Sequence, residues 1–325
     1  MQVRKARPED LPELERLKLA MGYPGSVFYD EESYFQQALE RLSQYLTRPE
    51  ELTDWRLLVL VEEDKPRGYL LFVLDDEHGV THQLQALILD FAVFSFEGLS
   101  ALVARARKTV TAFENEYLVS ELPPADKRLQ LWFYRCGFRA EQNRAARRFP
   151  RGHRGASSPD YRIRKARPED LSFILEVHAA HPAAYLPAGR DVDLQTVEFR
   201  YQLLYAGFDL TSSSGSLYFI LEEVASGVPA GYLILHEGQV LGTVKSFYVY
   251  DVAVAPAFAG RGLSLYLIGF AETLAGQEGS ILYGDGSLGT RVIASWHAQM
   301  GYLVESIRFA LDCRSQAPLG DVKRM

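Results

Sequence analysis

The sequence predicts an α/β protein of the α+β type, built as two tandem domains, each a mixed, mostly antiparallel sheet flanked by helices. Three observations carry that expectation. The octapeptide RKARPEDL stands at residues 4–11 and again at residues 164–171 of a 325-residue chain, and a self-match at half the chain length marks a duplicated unit. An ordered series of weaker matches follows. Val61, Glu62 and Glu63 parallel Leu221, Glu222 and Glu223; residues 66–70 parallel 229–233; residues 90–93 parallel 251–254; Trp132, Gly137 and Phe138 parallel Trp296, Gly301 and Tyr302. Each copy also reads as strand, two helices, three strands, helix, strand, helix, strand, an order in which the opening strands form antiparallel hairpins.

Each element has a local reason. A short alternating segment at residues 2–5 and 161–165 reads as a strand. Ala-Arg-Pro-Glu-Asp-Leu then opens a helix, over 11–20 and 171–180. Proline in the first turn lacks the N–H that would be orphaned there, and the two acids favour the positive helix start. Polar stretches containing proline and glycine (22–29 and 182–190) lead to second helices over 32–46 and 194–205. Apolar runs at 55–62 and 216–223 end in paired glutamates and turn back into 68–74 and 231–236. A further strand (85–94, 246–255) is followed by a helix (100–115, 264–276), and a strand, a helix and a final hairpin close each unit. The boundaries expected are a domain over 1–150, a linker over 151–160 (RGHRGASSPD, rich in Gly, Ser and Pro) and a domain over 161–325.

The bulk composition narrows the function. With 47% hydrophobic and 24% charged residues the chain is ordinary and globular, and each half is large enough to bury a core. A net charge of −7 argues against nucleic acid or an anionic membrane as the partner. Cys136 and Cys313 lie in different halves, which excludes a disulfide framework or a CxxC metal pair and leaves two small buried hydrophobes. The first ten residues contain no apolar leader, and the most apolar stretch, 84–96, is too short for a membrane span and is broken by Asp90. A cytoplasmic location is expected, with no metal.

The most specific local signal is YDVAVAPAFAGRGLS at residues 250–264. An apolar strand ends at Pro256, and the turn Ala259-Gly260-Arg261-Gly262 opens directly into an amphipathic helix at Leu263 and Ser264. That geometry aims backbone N–H groups at one point on the positive end of a helix, a pyrophosphate site. The two glycines let backbone approach phosphates closely. The loop is not GxxxxGK[ST], and it lacks the last glycine of GxGxxG.

Strand, then V-x-P-x-x-x-G-x-G and an apolar helix, resembles the acyl-CoA-binding motif of the GNAT (GCN5-related) N-acetyltransferases, and the element order is that family's. Residues 290–302, TRVIASWHAQMGY, are similar to its N-x-x-A-x-x-(F/W)-Y-x-x-x-G-(F/Y) segment. The resemblance covers 161–313 well and 1–150 weakly. It implies two GNAT-like acyl-CoA N-acyltransferase domains, with acetyl-CoA (coenzyme A) held by Val252, Ala253, Val254, Ala259, Gly260, Arg261, Gly262, Leu263, Ser264 and Thr290. The departures are Ala259 where the family has Arg or Gln, Ser264 where it has Gly or Ala, Thr290 for its Asn, and His297 for the Tyr that serves as general acid. A histidine there can also protonate a leaving thiolate, or simply pack on the core.

The first half differs where chemistry would sit. Opposite the loop stands Phe94-Ser95-Phe96-Glu97-Gly98-Leu99-Ser100, about three residues shorter, with one glycine gone and an acid at the phosphate position. This half is expected to have lost cofactor binding. Glu222 and Glu223 end a strand beside the expected cleft, and successive strand residues face opposite ways, so at most one faces the site. Asp251, duplicated as Asp90, is either a base or a structural hydrogen-bond acceptor. His178 and His181, three apart at a helix end without a third ligand, read as surface histidines. Tyr185, Tyr201, Tyr205 and Phe208 read as core near an acceptor pocket, and the arginine-rich stretch 144–154 as a solvated strand end and linker.

The function expected is N-acetyl transfer from acetyl-CoA to a primary amine of a small molecule or peptide by direct attack. Glu222, Glu223, Asp251 or a water they hold would take the ammonium proton. A backbone N–H of 252–254 would polarise the carbonyl, and His297 would protonate the thiolate. The alternative is a non-catalytic acyl-CoA-binding or interaction protein that keeps the phosphate loop and lacks a working base.

Overall fold

The computed structural model of the chain describes all residues except 27, 29, 78–80, 82, 156–157, 182–185, 191, 194, 196–207, 211–214, 241–243, 289–298 and 315–325. The described residues contain twelve strands and six α-helices. The first half holds β1 (Gln2–Lys5), α1 (Leu11–Met21), α2 (Glu31–Thr47), β2 (Trp55–Glu62), β3 (Lys65–Glu77), β4 (Leu84–Ala92), α3 (Phe96–Ala112), β5 (Tyr117–Leu122), α4 (Lys127–Arg135) and β6 (Arg139–Arg148). The second holds β7 (Tyr161–Lys165), α5 (Leu171–Ala179), β8 (Ser216–Glu223), β9 (Pro229–Val240), β10 (Val244–Val254), α6 (Leu263–Glu278), β11 (Ile281–Ser287) and β12 (Leu303–Asp312). No described helix is long and apolar enough to cross a membrane.

The octapeptide repeats because it builds the same corner twice. The guanidinium of Arg4 grips both oxygens of Asp10 at 2.7 Å, and the Arg7 backbone N–H donates to the same carboxylate at 2.8 Å. Arg164, Asp170 and Arg167 repeat the arrangement at 2.6–2.8 Å. A forked arginine and a backbone donor together fix the turn from the first strand into the first helix.

The residues divide into two compact units, and the division is not the one expected from chain order. Unit 1 is residues 1–141 with the described residues from 306 onward; unit 2 is 142–305. In unit 1 the strand order is β1-β2-β3-β4-β5-β12, antiparallel throughout except for β4 and β5. In unit 2 it is β7-β8-β9-β10-β11-β6, antiparallel except for β10 and β11. Each unit's six strands therefore include one supplied by the other half of the sequence. Two copies of one sheet offer equivalent final edges, so the pattern of a terminal strand cannot specify which edge it completes.

The expected linker is also part of the packing. Gly152 N–H donates to the Gly276 carbonyl at 2.9 Å and Gly155 N–H to Thr273 Oγ1 at 2.8 Å, both on α6. A Cβ at Gly155 would lie 1.7 Å from the Gly269 carbonyl oxygen, so backbone lies directly on backbone. The arginine-rich stretch before it is likewise engaged: Arg144 holds Asp285 at 2.8 and 3.1 Å, and Arg147 donates to the Met300 carbonyl.

In unit 1, one face of the sheet packs on α1 and α2 through Leu14, Leu17, Leu42, Tyr45, Leu57 and Val59. The other packs on α3 and α4 through Leu70, Phe72, Leu102, Phe133 and, from β12, Phe309 and Leu311. Cys136 and Cys313, from opposite halves of the sequence, are both free and buried in this second layer, and burial pushes each thiol up to about 12. Unit 2 packs α6 on Phe219, Leu221, Leu233, Leu235, Phe247 and Val249.

Phe309 is 0% exposed and its ring lies 6.3 Å from Phe133 and 5.0 Å from Tyr134. Phe309→Ala should cost about 3–5 kcal/mol. Hydrogen exchange should show the lost protection in β5, with β10 and β11 unaffected. Loss centred on β10 and β11 would mean that β12 completes the other sheet.

Candidate functional site

The site begins with an irregularity in β10. Pairing with β9 runs Tyr248 to His236 and Val249 to Leu235, then resumes at Asp251 to Ile234, so Tyr250 is an extra residue. A bulge turns the strand by one residue relative to its partner. Val249 before it and Val252 and Val254 after it face α6, while Asp251 points to the α5 side. On the other edge of β10, parallel pairing with β11 ends at Val249 to Gly284, although both strands continue. The two strands diverge there, leaving the edge of residues 250–254 without a strand partner among the described residues. Val252, Ala253 and Val254 lie on this edge.

Beyond it the chain makes a short 3-10 turn (Pro256–Phe258) and reaches Gly260 and Gly262, with φ of 78° and 72°. Gly262 is the N-cap of α6 in the left-handed conformation, and among the described residues no side chain caps it. A Cβ at either glycine would meet nothing within 4 Å among the described residues. Ala259, Gly260, Arg261, Gly262 and Ser264 are exposed, whereas Leu263 is buried against the core and anchors the helix start. The result is an open cradle at the positive end of a 16-residue helix, next to a strand edge with backbone groups to offer. Arg261 stacks 4.9 Å from Phe258, donates to Tyr161 Oη at 3.2 Å, and lies 3.9 Å from Glu223.

A polar cluster missed by the sequence reading is buried beside the bulge. Tyr232 Oη, on β9, donates to Asp251 Oδ2 at 2.5 Å. His178 Nδ1, on α5, lies 3.1 Å from the same oxygen and 3.3 Å from Tyr232 Oη. Asp251, Tyr232 and His178 are 4%, 0% and 5% exposed. His178 is thus not a surface histidine; its position follows from the apolar face of α5, where Ile174 and Val177 are also buried. His181 is half-buried and its Nε2 meets the Val254 carbonyl at 3.2 Å. The duplication of Tyr69 as Tyr232 and of Asp90 as Asp251 was the available signal. Next to the cluster, the Tyr250 ring lies 4.4 Å from His236 and 6.1 Å from Phe208. Burial, then the Asp251 and Tyr218 charges, push the Tyr250 phenol up to about 12, and burial lowers His236.

The two glutamates are placed apart from this cluster. Glu222 is buried on β8 and held by Arg162 Nε at 2.8 Å and by Arg164 Nε. Burial raises its pKa, but the bonds from Arg164 and Arg162 outweigh that and keep the carboxyl below its ordinary value of 4.5. A carboxylate committed to two guanidiniums is a poor base. Glu223 turns the other way, accepting from Ser226 Oγ at 2.7 Å. Thr290 and His297, with Tyr185, Tyr201 and Tyr205, lie outside the described residues.

Unit 1 repeats the bulge with different neighbours. In β4, Leu89 is the extra residue between Ile88 and Asp90, and pairing with β5 stops at Leu87 to Val119. Ser95 Oγ accepts from Gly98 N–H at 3.0 Å and caps α3, so the helix start is satisfied by its own side chain, with Glu97 exposed in the first turn. Phe133, the counterpart of His297, is 0% exposed and packs 5.7 Å from Phe91 on β4.

Residues 176–302 match the model of the acetyltransferase (GNAT) family. Among solved structures the chain is similar to a GCN5-related N-acetyltransferase from Sphaerobacter thermophilus, with 14% identity, a TM-score of 0.55 and 98% of each chain covered. It is also similar to a tandem GNAT protein from the clavulanic acid biosynthesis pathway, a structure without AcCoA, with 12% identity, a TM-score of 0.48, and 97% of this chain and 99% of that one covered. No curated protein matches the chain. At such identities the likeness between structures speaks for the fold alone.

Glu222→Gln should lower the melting temperature at pH 7. A depressed carboxyl contributes stability above its unfolded pKa, and that contribution is lost as pH falls through the folded value. The gap between the variant and the native chain should therefore close below pH 4.5. A gap that persists unchanged into stronger acid would show that charge at Glu222 is not what stabilises the corner.

Proposed function

We propose that this chain, a tandem protein of the GNAT acetyltransferase family and an acyltransferase, transfers an acetyl group from acetyl-CoA to a primary amine at the site on unit 2. One observation carries the reading: a diverging strand edge leads through two left-handed glycines into an uncapped helix start. The open space beside both glycines among the described residues and the positive helix end next to them support a pyrophosphate site. Acetyl-CoA would supply the activated thioester.

The chain's own groups divide the work. Backbone amides of Gly260, Gly262, Leu263 and Ser264 would hold the phosphates, with Ala259 and Arg261 lining the loop; Thr290 is the further cofactor contact that the family resemblance implies. The 252–254 edge would orient the arm by strand-like hydrogen bonds, and one N–H there would polarise the thioester carbonyl. Asp251, at the bulge, would receive the ammonium proton directly or through a water. His297 would donate a proton to the departing sulfur. Glu223 stays a second candidate base, whereas the arginine clamp leaves Glu222 a structural role.

Unit 1 is read as a scaffold without a cofactor site. The Ser95 cap and the Phe133 packing occupy what the loop and the edge offer in unit 2. Calorimetric titration with acetyl-CoA should give one site per chain, and two equivalent sites would overturn this assignment. Gly260→Glu or Gly262→Glu should abolish that binding. Each costs about 1–2 kcal/mol for a left-handed non-glycine residue but introduces no clash, so the fold should persist. Wild-type affinity in Gly260→Glu would mean that the phosphates bind elsewhere.

His297→Ala should lower turnover by about 10²–10⁴ with little change in acetyl-CoA affinity, measured as free-thiol release with a panel of primary amines. Turnover close to native would remove His297 from the reaction. Thiol release that no amine accelerates would favour an acyl-CoA-binding protein instead.

A further inference from the structure

The free edge of β10 presents an ordered set of backbone groups. In an antiparallel pair, residues that exchange two backbone hydrogen bonds alternate with residues that exchange none. Ala255 N–H donates to the Ala230 carbonyl at 2.9 Å. By the same register, Ala253 opposite Tyr232 and Asp251 opposite Ile234 belong to the bonded class. The Ala253 carbonyl accordingly lies 2.7 Å from where a Cβ on Gly231 would stand. Val254 opposite Gly231 and Val252 opposite Leu233 belong to the other class. Their N–H and C=O groups therefore point away from β9, to the side on which pairing with β11 has already ended at Val249.

One of these groups is taken. His181 Nε2 meets the Val254 carbonyl at 3.2 Å. A carbonyl oxygen only accepts, so Nε2 carries the hydrogen. The half-buried ring is anchored from its own backbone, because His181 N–H donates to the His178 carbonyl at 3.0 Å just beyond the end of α5. Among the described residues the edge is left to offer Val252 N–H, Val252 C=O and Val254 N–H: donor, acceptor, donor. The repeat uses the same position otherwise. Met21 stands 160 residues earlier, at the end of α1, and packs as a partly buried apolar side chain on the cores of unit 1. A thioether cannot donate. The donor thus occurs in the unit whose helix start no described side chain caps, and the thioether in the unit whose helix start Ser95 caps.

We propose that His181 is a positioning residue that closes the strand edge at the Val254 carbonyl and so fixes where the pantetheine arm of the cofactor leaves β10. The proposal rests on the reading of residues 252–254 as the edge that binds this arm. With the phosphates at Gly260 and Gly262, the thioester lies at the bulge end. From that end an acyl-CoA presents a carbonyl oxygen, an amide N–H and an amide carbonyl oxygen: acceptor, donor, acceptor. This order is the complement of what the edge offers. The next group of the arm is a second amide N–H, and its match along the strand is the Val254 carbonyl. His181 already satisfies that oxygen. The arm is therefore paired as far as Val254 N–H and then departs towards the glycine turn. Without the imidazole, the same oxygen draws the second amide onto the strand and pulls the phosphates out of line with the cradle.

The repeat supplies the variant. His181→Met removes the donor and puts in the residue that unit 1 carries at this place; His181→Gln keeps an N–H on a side chain of similar length. Each full-length protein is titrated calorimetrically with acetyl-CoA and, separately, with 3′-phospho-ADP, the half of the cofactor that carries the pyrophosphate and no arm. His181→Met should bind acetyl-CoA about 3- to 10-fold more weakly, the worth of one hydrogen bond, and should bind 3′-phospho-ADP as the native chain does. His181→Gln should recover most of the loss. Native affinity for acetyl-CoA in His181→Met overturns the proposal. An equal loss for both ligands also overturns it, because that marks a structural role, and so does a His181→Gln protein as weak as His181→Met. All three results leave the cofactor site in place. A native chain that binds neither ligand overturns the cofactor reading itself, and the positioning role with it.

Discussion

The extra residue in β10 is the constraint on which the arrangement of unit 2 depends. A regular strand would put residues 249, 251 and 253 on one face. With Tyr250 inserted, Val249, Val252 and Val254 all face α6, and Asp251 is turned to the α5 side. The same insertion ends the pairing with β11, because a bulge bends its strand and increases local twist. One irregularity thus places a buried acid, opens a strand edge and aims the chain at the glycine turn. Leu89 in β4 does the same in unit 1, so the bulge belongs to the scaffold that was duplicated.

The units differ in the side chains around the bulge and the helix start. In unit 1 Ser95 caps the helix, Phe133 lies against Phe91 of β4, and Lys18 pairs with Asp90. In unit 2 the helix begins at a glycine that no side chain caps among the described residues, and a histidine replaces the lysine. A buried ion pair with good geometry and a capped helix are local solutions that hold a structure still. A helix start without such a cap keeps its backbone N–H groups turned outward at the positive end of the helix.

The trading of final strands ties the two units together in folding. Unit 1 pairs β5 with β12, bringing Leu122 opposite Ile307, and unit 2 pairs β6 with β11, bringing Arg148 opposite Ile281. Such distant partners raise contact order and slow the step that closes each sheet. Neither half of the sequence contains all six strands of its own unit. The segment after β6 has to lie along α6, and glycines at 155, 269 and 276 provide the close approach.

By itself the sequence determined the repeat, the element order in the first copy as far as its last helix, the glycine turn before α6 and the loss of that turn in the first half. All of these are local: they depend on periodicity, on turn chemistry and on short motifs read over a few residues. Tertiary structure decided the rest. Which sheet a terminal strand completes depends on edges more than a hundred residues away. Whether Glu222 is a base depends on the two arginines of β7 across the pairing. His178 looked like a surface residue because a helix end gives no clue to what lies opposite; only the packing of α5 on β9 and β10 brings it to Tyr232 and Asp251. Burial and partnership are properties of the packed chain, and they set the chemistry of an ionisable group.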